Sequence, residues 1–383
     1  MRVYLDHAAT TAVDGRVLAA MLPYFSERPG NASSLHGFGQ EARAAVDIAR
    51  TQVASLIGAQ PAEIVFTSGA TEADNLAVFG VALAPEGRNR HIVTSVIEHA
   101  AILESCRVLE GRGYAVTYVP VDTRGIVDPD AVGRALRPDT GLVTIMAANN
   151  EIGTVQPLTA IGRIVRERGI PFHTDATQMV GTLPLNVNEV GVDLLSISGH
   201  KRYGPKGIGA LYIRRGTRCR RMQHGGEHER GRRGGTENVP GIVGLGAALQ
   251  LAGELMEEER ARVSALRDRL ARGLMEIPGV RLNGDSQRRL PNNVNLSVEG
   301  TDGQSLVIGL DLQGVAASSG SACSAGSVEP SHVLLALGLA PDLAAGSVRL
   351  TLGRNTTEAE VDYAVAALRA VAAQLRKQAP SRV

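Results

Sequence analysis

Lys201 stands in the run Ser198-Gly-His-Lys-Arg-Tyr-Gly-Pro-Lys-Gly207, directly after a short apolar stretch that reads as a strand. A lysine at a sheet terminus can form a Schiff base with a carbonyl if its pKa is depressed. Four other strand-like runs are also followed by groups that could do chemistry. Ser68-Gly-Ala-Thr-Glu72 follows residues 63–67. Its small residues let backbone N–H groups approach an anion, and the helix that follows adds its positive end. Glu98-His99-Ala100 follows 91–97 and offers an imidazole that could stack on a planar ring or carry a proton. Asn149-Asn150-Glu151-Ile152-Gly153 follows 141–147, with amides suited to a ring substituent or to a simple turn. Asp175-Ala-Thr-Gln178 follows 170–174, and a carboxylate there needs a partner: a pyridinium N–H, an arginine or a helix N-terminus. Each group alone has an ordinary structural reading as a capped turn, a structural histidine or a solvated lysine. Together they supply a phosphate cradle, a stacking ring, an acid and an amine. That is the set pyridoxal 5′-phosphate requires, the acid keeping the ring nitrogen protonated so that the ring withdraws electrons.

The elements that must position these groups alternate between strand-like and helix-like. The six short apolar runs are 63–67, 91–97, 141–147, 170–174, 193–198 and 208–213. Between them, residues 41–57 place Ala42, Ala45, Val46, Ala49, Val53, Leu56 and Ile57 on one helical face before Gly58. Residues 159–168 read as a helix capped by Thr159 and ended by Gly169. This alternation predicts an α/β unit with a mostly parallel sheet over residues 13–255, with ligands beyond the carboxyl ends of its strands. From residue 256 the texture changes. A charged helix over about 255–276 leads to Pro278-Gly279, then Val294, Leu296 and Val298 alternate as a half-buried strand. Thr357-Glu-Ala-Glu360 opens the last helix as a capping box. Residues 256–383 are read as a smaller α+β unit joined by residues 1–12.

Composition sets the frame. The 383 residues carry a net charge of +1, with 44% hydrophobic and 21% charged residues, which favours no nucleic-acid or membrane partner. Val3-Tyr4-Leu5 already reads as a strand, which leaves no room for a signal peptide. The longest mostly apolar stretch, Gly241 to Ala252, is 12 residues, against about 20 for a membrane span. The three cysteines, Cys106, Cys219 and Cys323, form no disulfide framework, so a cytoplasmic location is expected. Residues 214–233 hold eight arginines, read as a solvated loop near an anionic cofactor and a dimer interface. His224 and His228 are four apart, but the glycines between them oppose a helical metal pair, and no metal site is expected.

The chain resembles a cysteine desulfurase of the class V aminotransferase group. The matching segments span nearly all of it: YLDHAATT at 4–11, GNASSLHGFG at 30–39, FTSGATEADN at 66–75, NNEIG at 149–153, DATQ at 175–178, SGHKRYGPKGIGALYI at 198–213, GGEHERGRRGGT at 225–236 and SSGSACSAGSVEPSHVLLALG at 318–338. The resemblance implies fold-type I, with a large domain built on a seven-stranded, mainly parallel sheet and a smaller α+β domain. It implies that Lys201 holds the cofactor. Ala70, Thr71, Ser198 and His200 would contact the phosphate, and Thr236 would reach the phosphate of a second subunit, hence a homodimer. His99 would stack on the ring, Asp175 would pair with its nitrogen and Gln178 with its phenolic oxygen. Asn150 and Arg349 would bind the substrate carboxylate, Arg354 being the weaker choice.

The same resemblance makes Cys323 the sulfur acceptor. It lies in a Ser/Gly/Ala-rich stretch, 318–327, that reads as a loop with no apolar periodicity around it. L-Cysteine would yield alanine and a Cys323 persulfide, with Lys201 moving the α-proton and His99 available as a proton donor or acceptor. The longer segment after Cys323 points to the branch that serves iron–sulfur cluster assembly and tRNA thiolation. A selenocysteine lyase or another class V aminotransferase is the alternative. The chain stops soon after its final helix, without the tail some members use to dock a cluster scaffold, which leaves the acceptor open.

Overall fold

A computed structural model describes residues 1–84, 90–319 and 330–378. Its main sheet has seven strands in the order Ile64–Thr67, Gly209–Ile213, Leu194–Ser198, Phe172–Asp175, Thr140–Thr144, His91–Ser95 and Ala115–Val119. Six run parallel, and Gly209–Ile213 runs against both its neighbours. Sequence periodicity finds six of these strands and misses Ala115–Val119. That strand pairs with His91–Ser95 at the sheet edge, and four of its five residues are only half-buried. An edge strand of this kind carries too weak an apolar signal to stand out.

Two helices cover one face together. Gly37–Ile57 begins four residues before the predicted start, with His36 Nδ1 accepting from Gly39 N, and ends at Gly58 in the left-handed conformation. It lies against Val239–Met275, a helix of 37 residues. A Cβ on Gly246 would sit 2.6 Å from Ala49 Cα, so glycine is what allows this close crossing. The apolar first half of the long helix is therefore packed as a core element, and its charged second half continues unbroken past residue 255. Val239, Ile242, Leu245 and Leu249 join the core of the seven-stranded sheet. Val263, Leu266, Leu270 and Leu274 join a second core with Val3, Leu5 and the C-terminal elements.

The second core backs a four-stranded antiparallel sheet ordered Ser318–Ser319, Ser347–Thr351, Asn293–Val298 and Val280–Leu282. Here two expectations change. Asn293–Val298 is buried on both faces, not half-buried. Its polar residues are enclosed because they are paired: Asn293 and Asn295 both donate to the Glu151 carbonyl, at 3.1 and 3.2 Å. The helix Leu158–Glu167 starts at Pro157 with no side-chain cap, so Thr159 lies inside it and caps nothing. The capping box at Thr357 and Glu360 forms in both directions, with contacts of 2.8 and 3.3 Å.

The arginine-rich stretch is not wholly solvated. Glu229 is buried and receives Arg50 through two contacts of 2.7 and 2.9 Å, each side chain 3% exposed. Phe66 N also donates to Glu229 at 3.0 Å, and Arg50 donates to the Ile64 carbonyl at 2.7 Å. This pair ties a loop to the strand that leads into Ser68. Removing one partner strands the other charge in the interior. Glu229→Ala should therefore lower the unfolding free energy by about 3–5 kcal/mol, measured by chemical denaturation, with Arg50→Ala/Glu229→Ala far less than additive.

Candidate active site

The carboxyl ends of five parallel strands open on one cavity of about 560 Å³, a size ordinary for small-ligand sites. The structure brings Ala70, Thr71, His99, Asn150, Asp175, Gln178, Ser198, His200, Lys201 and Arg349 to its wall.

One end of the cavity is suited to an anion. The helix Ala70–Ala82 begins there behind Gly69, with no side chain capping its first turn. Gly69 has φ 156°, which side chains rarely adopt, and a Cβ on Gly209 would come within 2.7 Å of its carbonyl carbon. The backbone is therefore pressed close, and the free N–H groups of the helix start face the cavity. Ser198 closes this end from the strand Leu194–Ser198, on the far side of Gly209–Ile213. His200 bonds Thr10 Oγ1 at 3.1 Å, and burial, then Lys201 and Lys206, push its pKa down to about 4. It is a neutral donor at neutral pH.

The middle holds the amine and the acid. Lys201 ends the short turn Gly199–Lys201, and its Nζ donates to the carbonyls of Ala8 and Ala9 at 2.6 and 2.7 Å. Asp175 is 7% exposed and accepts from Thr177 N at 2.9 Å, so one carboxyl oxygen is fixed and the group is turned to the cavity. Gln178 donates to the Ala8 carbonyl at 3.1 Å. His99 is the N-cap of Ala100–Glu110, and its Nδ1 accepts from Ala101 N at 3.1 Å. Used as an acceptor, Nδ1 leaves the proton of the neutral ring on Nε2.

Arg349 forms the far wall from the second sheet. It is buried, with Nη1 donating to the Asn150 carbonyl at 3.0 Å and Nη2 to Asp6 at 2.9 Å. Its Nε is buried without a partner among the described residues. Arg354 is committed elsewhere: it bonds Asp14 at 2.6 Å and Glu259, and lies 4.3 Å from the Tyr203 ring centre. It does not line the cavity.

Two predicted residues are not in this wall. Thr236 is exposed on the loop before Val239. Cys323 lies outside the described residues. The other cysteines are poor nucleophiles, because burial pushes both thiols up to about 12.

Sequence reasoning assigned nothing to a set of buried carboxyl groups beside the cavity. Glu98 is 1% exposed, accepts from Ser95 Oγ at 2.6 Å and Met146 N at 3.0 Å, and is pushed up to about 8 by burial. Glu151 accepts from Ser331 Oγ at 2.5 Å and rises to about 7 through burial. Asp74 is enclosed, neither oxygen has a hydrogen-bond partner among the described residues although His173 Nε2 lies 3.7 Å away, and burial drives its pKa well up. The sequence signal was their position in or beside apolar runs, where a charged residue must be either turned out or neutralised.

The family model for aminotransferase class V matches residues 3–364. A cysteine desulfurase IscS of Dictyoglomus turgidum is 51% identical over 379 residues, covering 99% of this chain and 96% of that protein. A solved structure described as a NifS-like protein superposes with a TM-score of 0.92 at 41% identity, covering 98% of this chain and 100% of the other. A structure of SspA in complex with cysteine gives 0.82 at 38% identity, with coverage of 91% and 98%. The chain belongs to the cysteine desulfurase family of class V aminotransferases.

Proposed function

We propose that this chain is a pyridoxal-phosphate-dependent cysteine desulfurase. In this reading it takes sulfur from L-cysteine, leaves L-alanine and carries the sulfur as a persulfide on Cys323. The observation that carries the reading is convergence: the Lys201 amine, the Asp175 carboxyl, an uncapped helix start and the Arg349 guanidinium all open on one cavity. The donor set fits the cofactor. The helix start at Ala70 and Thr71, with Ser198 and His200, would hold its phosphate. Asp175 would hold its ring nitrogen, Gln178 its phenolic oxygen, and His99 and Asn150 would flank the ring. The bound cofactor supplies an electron sink that stabilises negative charge at the substrate α-carbon.

The chain's own residues do the rest. Arg349, which lines the cavity wall, binds the substrate carboxylate through its guanidinium. Lys201 Nζ moves the α-proton. His99, with its proton on Nε2, donates to or accepts from the reacting groups. The Cys323 thiolate attacks the substrate sulfur: an S–S bond forms, the C–S bond breaks, and its electron pair stays on carbon, which takes up a proton on the way to alanine. The thiols of Cys106, buried, and Cys219, half-buried, are held protonated, which supports Cys323 as the nucleophile.

We further propose a cytoplasmic homodimer; Thr236 is exposed and does not line its own cavity, which is compatible with a role toward a second subunit. The sulfur acceptor would be a protein of iron–sulfur cluster assembly or tRNA thiolation. A simple aminotransferase would not need Cys323, and a selenocysteine lyase would prefer selenocysteine in direct competition.

Three variants test this reading. Lys201→Ala should lose the visible absorbance of the lysine-bound cofactor and fall at least 1,000-fold, on the order of a lost covalent catalyst, in alanine formation. An unchanged spectrum would refute the assignment of Lys201. Cys323→Ala should keep the cofactor spectrum yet release no sulfide, and mass spectrometry after exposure to cysteine should find a persulfide on Cys323 in the parent protein alone. Full sulfide release by the variant would remove Cys323 from the mechanism. Arg349→Gln should lower kcat/KM for cysteine roughly 100-fold, on the scale of a lost charged hydrogen bond to a carboxylate, chiefly through KM.

A further inference from the structure

Two cavity residues, His99 and Asn150, each follow a buried polar residue that does not itself reach the cavity. Glu98 precedes His99, and Asn149 precedes Asn150. These two pairs sit on turns that leave neighbouring parallel strands, His91–Ser95 and Thr140–Thr144. Across the gap between the turns the contacts are reciprocal. Glu98 Oε1 accepts from Met146 N at 3.0 Å, from the first turn to the second. Asn149 Nδ2 donates to the Ile97 carbonyl at 2.9 Å, from the second turn back to the first. Each side chain is also anchored on its own turn. Ser95 Oγ donates to Glu98 Oε1 at 2.6 Å, and Asn149 Oδ1 accepts from Glu151 N and Ile152 N at 2.9 and 3.0 Å. His332 adds a third attachment, its Nε2 donating to the Glu98 carbonyl at 3.2 Å.

We propose that Glu98 and Asn149 form a reciprocal clasp between two strand-end turns, and that Glu98 acts as a positioning residue for His99. The clasp fixes the backbone at Ile97 and Glu98, and the ring of His99 is then set by its own cap contact to Ala101 N. Glu98 Oε2 is buried without a hydrogen-bond partner among the described residues, which disfavours the ionised form. The charged or titratable groups around it are His99 beside it, Asp175 on the central strand, Asp74 on Ala70–Ala82, Cys106 on Ala100–Glu110 and His332. Burial is the largest influence and Asp175 adds to it, while Ser95, Met146 N and His99 oppose it. Ionisation of Glu98 as pH rises through about 8 keeps the Ser95 and Met146 contacts, which favour the charged form, but places a negative charge beside His99 in a buried site, which is what the ring would register.

The inference rests on the proposed function only for what His99 does, so its first readout is independent of sulfur release. Visible circular dichroism of the cofactor-loaded protein, recorded without cysteine, reports how the ring is held. Glu98→Gln preserves the neutral shape and should keep the signal. Glu98→Ala removes the clasp and should change the signal, and it should lower kcat on the order of 100-fold with little change in KM. In the parent protein the signal should shift as pH rises through about 8, and Glu98→Gln should abolish that shift. If Glu98→Ala does not fold, the pH comparison between the parent and Glu98→Gln decides the matter alone. An unaltered signal and kcat in Glu98→Ala, equal damage in the Gln and Ala variants, or the same alkaline shift with and without Glu98 would each overturn the clasp.

Discussion

The site depends on one short segment, Asp6 to Thr11, held between the two sheets. Its carbonyls at Ala8 and Ala9 accept from Lys201 Nζ, and the Ala8 carbonyl also receives Gln178. On its other side, Asp6 pairs with Arg349, Ala8 N donates to Thr351 Oγ1, and His7 N donates to the Thr351 carbonyl. Thr11 completes the attachment through two contacts to the His200 carbonyl, at 2.8 and 2.9 Å. The amine comes from the large sheet and the guanidinium from the small one. Their separation is therefore set by the segment that both grip. A change in how the second sheet sits would move Arg349 relative to Lys201, and the contacts at Asp6 and Ala8 are what resist it.

This constraint explains why much of the site was legible in the sequence. The strand-end groups follow apolar runs directly, so locating a run also locates the chemistry beyond it. Lys201, Asp175, His99 and the Ser68–Thr71 turn were found in this way, and the parallel sheet places them together without further information. Arg349 needed the resemblance, because it comes from a strand far along the chain and no spacing rule links it to the others. The two arginines of VRLTLGR are separated by structure alone: Arg349 lies on a buried strand facing the cavity, whereas Arg354 is held against Tyr203, Asp14 and Glu259.

What stayed hidden has a common physical cause. Burial of a polar residue depends on what the rest of the chain brings to it. Asn293 and Asn295 read as the wet side of a strand, yet the Glu151 carbonyl arrives from the other unit to accept from both. Glu229 reads as part of a solvated basic loop, yet Arg50 meets it in the interior. Ala115–Val119 failed for the opposite reason: an edge strand keeps a partly exposed face, and its alternation is faint.

The buried acids beside the cavity follow from the same logic and shape its electrostatics. Asp74 and Glu98 are enclosed, and each has at least one oxygen with no partner among the described residues. Burial raises both pKa values, and Asp175 raises them further, because a nearby carboxylate disfavours ionisation of another. His173, 3.7 Å from Asp74, is pushed down to about 4 by its own burial and stays neutral. Neither its ring nor the two acids then adds a full charge beside the site. Asp175 differs because it opens on the cavity. Sorting carboxyls by environment in this way gives chemically identical groups different duties. Asp175 is left to face the cavity, while Glu98 serves as a hydrogen-bonding part of the frame and Asp74 is enclosed beside them.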